Sequence, residues 1–425
     1  MFLARPSRWV TIRRLTLLSA LVLSAACDNI GQAAFSPCSR VHTSPMFQTI
    51  DSAGVTIRVT ACEAAQRPLD WTIDPQPALE LGRGSDTELE FYEIRGVASL
   101  PGGRLAVIDL GTRQLRYFDS RGHLLFYRGR KGSGPGEFEG PSLIPAATHD
   151  SLVVFDTRSR RFTSFAADGT GEAYTLSTAA WLPGSYTPLG VIGDEILIRR
   201  AHNDYSGFGM LEQDVRLLWA RAGAGTEREL LRDRVAWVFR VRDEANDMIY
   251  GCDPPFATGP IATVTKTGAA VTTGKRFEVL GFDTAGALTR ILRVDRRRQP
   301  VRPADYEGYV ELRIQQGRGS EGFWSHLSDV PLPDSMPAFS QLLVDDGDWV
   351  WAKISEWDTR KAQPWMVFDP EGRARGIVEL PAGLQVWHIG YDFILGTSED
   401  STGVEIIRRY TLKRADEARG SHTSS

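Results

Sequence analysis

Four copies of one short element recur along the chain: FDSRG at 118–122, FAADG at 165–169, FDTAG at 282–286 and FDPEG at 368–372. Each lies between two stretches of strand character, so each reads as a hairpin turn. The aromatic faces inward, the carboxylate accepts a hydrogen bond from backbone two residues on, and the Gly supplies a positive φ. A hairpin that recurs at long spacing marks a radial or stacked β repeat, in which neighbouring units bury each other's apolar faces.

Successive copies lie 47, 117 and 86 residues apart, so the later repeats must carry insertions. One candidate is 296–336, which is rich in Arg and Pro, has a helical-looking stretch at 303–316 and ends in PLPDSMP. Another is AHNDYSGFGMLEQD, beginning at Ala201. Without them the span 70–413 holds roughly 290 residues, about 48 per unit for six units and about 41 for seven. The shortest observed spacing therefore predicts an all-β chain: a six-bladed β-propeller of four-stranded blades, with a short helical insertion in a later blade.

The first full unit shows the strand pattern. Residues 94–100 form a strand, Pro101-Gly102-Gly103 a turn, and 104–109 a second strand rich in apolar and β-branched residues; 114–118 alternates polar and apolar, and 123–128 is the fourth strand. Middle strands of the later units are expected at 151–156 with 161–165, 195–199 with 215–219, 269–273 with 277–282, 349–354 with 365–368, and 393–397 with 404–412.

The run GSGPGEFEGP at 132–141, followed by a strand with a Val-x-Asp end, a basic turn and an aromatic strand, resembles an NHL-type repeat of bacterial six-bladed propellers. The resemblance covers about 79–169 and again 337–412, and DSAGVTIRV at 51–59 is similar to the strand that opens many secreted members. It implies a toroidal scaffold and no particular activity, because propellers host both binding proteins and enzymes.

At the N-terminus, Arg5, Arg8, Arg13 and Arg14 precede an apolar stretch at 15–23 and the small residues Ser24, Ala25 and Ala26. This pattern predicts an export signal over 1–26, too short to span a bilayer. The ending Leu-Ser-Ala-Ala-Cys resembles a lipoprotein box, with Cys27 lipidated; ordinary cleavage after Ala26 is the alternative. The expected organisation is a tether and first strand at 27–69, the propeller at 70–413 and a polar tail at 414–425, with the protein at the cell envelope, lipid-anchored or periplasmic. A Cys38–Cys62 bridge would close a loop of about 25 residues, worth roughly 3 kcal/mol. Cys252 is then left over, as a free thiol or as the site of a bond to a partner.

A formal net charge of −4 gives no global pull toward nucleic acid. In a propeller the loops between second and third strands open on one rim, and there the units place Arg113, Arg158 with Arg160, Lys275 with Arg276, and Arg360 with Lys361, with His202 in the third blade. Such a ring would attract carboxylates, phosphates or an acidic protein surface. The competing reading is that each basic residue braces its turn by an ion pair, as Asp109 with Arg113 or Asp156 with Arg160. Trp181, Tyr186, Phe256, Trp324, Trp357 and Trp387 fall near loops, where they would serve a protein or peptide partner or pack between blades. Trp387 and His388 complete the candidate rim.

Propellers of similar type include metal-dependent lactonases and lyases, so His202, Asp253 and His388 around Ca or Zn form an alternative catalytic set. No HExxH or EF-hand loop supports it, and Ser133 in Gly-Ser-Gly-Pro-Gly is not a nucleophile elbow. The preferred expectation is a cofactor-free, non-catalytic propeller, anchored to the membrane, that binds an envelope protein, a peptide or an anionic ligand. The alternative is a metal-dependent hydrolase or lyase working at the central channel, and a third possibility is a structural role with 303–336 as docking element.

Overall fold

The computed structural model describes residues 37–38, 46–82, 90–148, 151–170, 174–203, 206–243, 247–327, 329–400 and 403–415. The expected export signal, Cys27 and nearly all of the polar tail lie outside the described residues. Six sheets follow one another along the chain, antiparallel except for one parallel pair in the fourth. Blade one comprises Ile94–Ser99, Leu105–Asp109, Gln114–Phe118 and Leu124–Arg128. Blade two comprises Pro141–Ile144, Ser151–Asp156, Arg161–Ala166 and Tyr174–Ser177. Blade five comprises Phe339–Val344, Val350–Ile354, Gln363–Phe368 and Ala374–Leu380. The first strands of successive blades touch in order, from blade one round to blade six and back to blade one, which closes the propeller around a central channel.

Three blades depart from the four-strand plan. Blade three has five strands, Thr187–Ile192, Glu195–Asn203, Gly209–Arg221, Glu227–Asp243 and Met248–Cys252. The segment beginning at Ala201 is thus no separate loop insertion: it lengthens the second and third strands into a ribbon, with His202 opposite Asp214. Blade four, Ile261–Val264, Gly268–Thr272, Glu278–Asp283 and Leu288–Val294, gains Val55–Thr60, which pairs in parallel with Leu288–Val294, and then Phe47–Ser52. Blade six supplies Gln385–Ile389, Phe393–Glu399 and Glu405–Lys413 and takes its outer strands from the N-terminal side, Leu79–Leu81 and Thr72–Ile73.

The recurrent turns join the third and fourth strands of blades one, two, four and five. Asp119 accepts from the backbone N–H groups of Arg121 and His123, each at 2.9 Å, and Asp369 accepts from Arg373 N at 2.8 Å. Gly122 (φ 91°) and Gly372 (φ 88°) hold the left-handed position. A Cβ on Gly122 would lie 2.3 Å from Leu81, and one on Gly372 would lie 2.5 Å from Leu292, so each turn seats on the outer strand of the preceding blade. Only four copies occur because blade six has no third-to-fourth hairpin and blade three turns through Ala222 to Gly225 instead.

Apolar faces interlock between blades. Trp351 and Trp365 are fully buried between blades five and six, and Trp219 between blades three and four. Removing roughly 200 Å² of each indole from water stabilises the fold by about 5 kcal/mol as an upper bound. Trp219 Nε1 donates to Asp283 O at 3.0 Å, which satisfies its polar end. The connection from blade four to blade five carries the helices Pro303–Gln315 and Glu321–Ser325. At the start of the first, Asp305 accepts from Arg302 N at 2.9 Å and from its guanidinium at 3.0 Å, and in the second Ser320 Oγ accepts from Phe323 N at 3.2 Å. Trp324, Leu327 and Val330 pack on Phe239 of the long fourth strand of blade three, so this insertion docks onto its own propeller. A disulfide joins Cys38 and Cys62 with their Cα atoms 5.5 Å apart.

Candidate functional site

The channel has two differently built ends. At the end formed by the first turn of each blade, a small cavity of about 150 Å³ is lined mainly by apolar residues of the inner strands, among them Val97, Leu143, Val264 and Leu343, together with Trp387 and His388. Trp387 Nε1 donates to Thr397 Oγ1 at 3.0 Å. His388 Nε2 lies 2.8 Å from Asp346 Oδ1, and its Nδ1 accepts the Ser99 N–H at 3.2 Å. Because Nδ1 accepts, the ring proton sits on Nε2 and is given to Asp346. These two bonds use the lone pair and the proton that a general base or acid would need.

The opposite end is polar. A cavity of about 510 Å³ opens between blades five and six, beneath the end of the Pro303–Gln315 helix. Its lining includes Gln341, Lys353 and Gln363 from blade five, Gln385, Thr397, Glu405 and Arg408 from blade six, and Arg313 and Arg318 from the insertion. Lys353 is placed by strand alternation. Trp351 and Lys353 share the face of Val350–Ile354 that meets blade six, with the indole in the core and the amine nearer the mouth. Burial lowers the Lys353 pKa, and among the described residues the amine has no ion-pair partner. Across the cavity, burial raises the Glu405 pKa, while the carboxylate accepts from Ile94 N at 2.7 Å. Arg408 is paired with Glu80 at 2.9 Å. Gln363 Oε1 and Arg313 Nε are buried with no hydrogen-bond partner among the described residues. Two titratable groups displaced in opposite senses and two unsatisfied polar atoms around one cavity are what a polar binding site presents.

The basic residues of the expected rim are mostly engaged in structure. Arg113 (φ 57°) and Arg160 (φ 53°) occupy matching left-handed positions in blades one and two. Their guanidinium groups do not meet the strand-ending Asp109 and Asp156. Arg113 Nε donates to Glu139 O at 3.2 Å, and Arg160 donates to Leu182 O while lying over Tyr186. The brace therefore runs to backbone carbonyls of the connection into the next blade. Asp109 pairs instead with Arg116 at 3.4 Å and caps Tyr92, Gly111 and Thr112. Asp156 is fully used by the N–H groups of Glu139, Gly140, Arg158 and Ser159. Arg360 forms a two-pronged pair with Asp358, Lys361 lies 3.8 Å from the same carboxylate, and Lys275 pairs with Asp233 at 2.6 Å. The side chains of Arg158 and Arg276 are exposed.

His202, Asp253 and His388 do not converge. His202 is exposed on the blade-three ribbon beside Asp214 and Arg232, Asp253 follows the outermost strand of that blade, and His388 lines the channel in blade six. Among the described residues no group of three His, Cys, Asp or Glu side chains is placed to hold a metal ion. The loop aromatics pack inward. Trp324 is buried, Phe256 meets Tyr309 edge-on at 5.5 Å, and Tyr186 packs on Phe155. Sequence reasoning missed Lys353, although a lone charge in the otherwise apolar run VWAKI was a visible signal.

No protein-family model matches the chain, and no curated protein matches it. Among solved structures it is similar to a member of the DUF4221 family from Bacteroides vulgatus, at 10% identity over 82% of this chain and 100% of that one, with a TM-score of 0.43. It is also similar to a catalytically inactive virginiamycin B lyase from Staphylococcus aureus with quinupristin, at 11% identity over 81% of this chain and 100% of that one, TM-score 0.38. A third is the calcium-binding protein regucalcin from Agrobacterium tumefaciens, at 11% identity over 79% of this chain and 95% of that one, TM-score 0.35. These similarities assign no activity. The chain is a six-bladed β-propeller by its own strand pairing and ring closure.

Proposed function

We propose that this chain is an exported, lipid-anchored propeller of the NHL-repeat type that binds a small polar anion at the mouth of its channel and leaves it chemically unchanged. The observation that carries the reading is Lys353, a half-buried amine with no ion-pair partner among the described residues, facing a polar cavity of about 510 Å³. An ammonium held away from water without a counter-charge is costly unless a ligand supplies the charge. The glutamine amides and Thr397 around it offer both donors and acceptors, which suits a ligand carrying hydroxyl or amide groups beside its acid. Export and anchoring rest on the pattern of 1–27. Among the described residues no helix is long and apolar enough to cross a membrane. A non-catalytic role is supported by His388, whose two ring nitrogens are both occupied.

The test is isothermal titration of the purified chain with glucuronate, citrate and gluconate, followed by NMR of the recovered probe. At least one should bind with Kd below about 1 mM, emerge unchanged, and lose about tenfold or more in affinity to Lys353→Met. Absence of binding by all three, or equal binding by the variant, would sink the reading.

A further inference from the structure

We propose that a second, basic pocket on blade four recognises phosphate, either as a soluble phosphate ester or as the headgroup of an anionic phospholipid. The pocket, about 520 Å³, lies where the N-terminal strand Val55–Thr60 meets the end of Leu288–Val294, and Cys62 of the disulfide is part of its wall. Five basic side chains line it against two acidic ones, Glu63 and Asp295. Two of the basic groups are already matched, Lys275 by Asp233 and Arg293 by Glu278.

Arg296 is different. Its guanidinium carbon lies 4.7 Å from the Phe277 ring centroid, and its Nε and Nη1 are buried without hydrogen-bond partners among the described residues. Burial lowers its pKa, yet a guanidinium stays charged at neutral pH, so the site holds a stacked cation with unused donors. Arg276 enters from the turn between second and third strands, and Arg298 follows Arg296 on the connection to the helices. Three guanidinium forks from two segments match the three or more acceptor oxygens of a phosphate better than the two of a carboxylate. Glu63 and Asp295 keep the net positive charge small, which favours a single phosphate over a long polyanion.

The lipid arm follows from the chain path. Pro37 O accepts from Arg297 N at 2.9 Å, so Pro37, ten residues beyond the expected lipidated Cys27 in sequence, lies beside this pocket. Only this arm leans on the anchor proposed above; recognition of soluble phosphate does not.

The experiment uses the full chain with Cys27→Ser, so that no acyl chain contributes. Inorganic phosphate and glycerol phosphate are titrated calorimetrically, and binding to phosphatidylglycerol–phosphatidylcholine vesicles is compared with binding to pure phosphatidylcholine. Binding to either kind of probe that falls at least about tenfold in Arg296→Met supports the site, and the probe that binds identifies the source. The double variant of exposed Arg276→Gln with half-buried Arg298→Gln gives the same reading should Arg296→Met fail to fold. Lys353→Met should leave this binding intact, which separates it from the channel-mouth site. No binding to any probe, or binding that survives in the folded variants, overturns the proposal.

Discussion

His388 of blade six and Asp346 of blade five are joined across the blade boundary by a 2.8 Å hydrogen bond, while Ser99 of blade one donates its N–H to the other imidazole nitrogen. One ring thus ties the two edges that meet where the propeller closes. His388→Ala removes both bonds. The variant should lose about 1–3 kcal/mol in urea denaturation and keep its affinity at the channel mouth. A large loss of affinity with stability intact would instead place His388 in ligand binding.

Arg414 forms a second closure contact. It pairs with Asp345 at 2.8 Å, both side chains are almost wholly buried, and the guanidinium lies 4.6 Å from the centroid of Trp71. Asp345 also accepts from Trp351 Nε1 at 3.0 Å. Arg414→Ala leaves that carboxylate without its cation and should cost about 3–5 kcal/mol, measured by chemical denaturation.

Asp119 has its pKa lowered to about 2, first by the backbone N–H of His123 and then by its imidazole. A depressed carboxylate contributes stability that is present above its unfolded value, 3.8, and is lost as pH falls through about 2. Thermal melts between about pH 5 and pH 2 should therefore fall less steeply for Asp119→Asn than for the parent. Parallel curves would assign the acid response to other carboxylates.

Lys353 titrates in the opposite sense. Burial lowers its pKa from 10.5, so between the folded and unfolded values the unfolded chain binds more protons and stability rises with pH. Lys353→Met should flatten this rise and raise the melting temperature at neutral pH, since a buried unpaired cation is replaced by a packed side chain. A lower melting temperature would mean that the amine has a stabilising partner in solution.

Cys252 is pushed up to about 11, chiefly by burial and then by Asp253. At about pH 8 little thiolate is present, so iodoacetamide should modify it far more slowly than a free cysteine. Rapid labelling at that pH would show that the outer edge of blade three opens readily.

What the sequence determined by itself is the repeat. An aromatic, a carboxylate and a Gly within five residues specify a hairpin turn through contacts a few residues apart, and strand alternation reports which face is buried, so the six blades were legible before any coordinates. The tertiary structure decided what depends on partners distant in the chain. Leu81 pairs with Ile407, and this pairing closes the ring and leaves blade six without a recurrent turn. Arg113 and Arg160 looked like neighbours of Asp109 and Asp156, but a left-handed backbone turns them toward carbonyls of the next connection. Lys353, Arg313 and Gln385 come from two blades and an insertion, and only packing brings them around one cavity. Local turn chemistry is short-ranged and survives in the sequence, whereas a site assembled across blades exists only once the ring has closed.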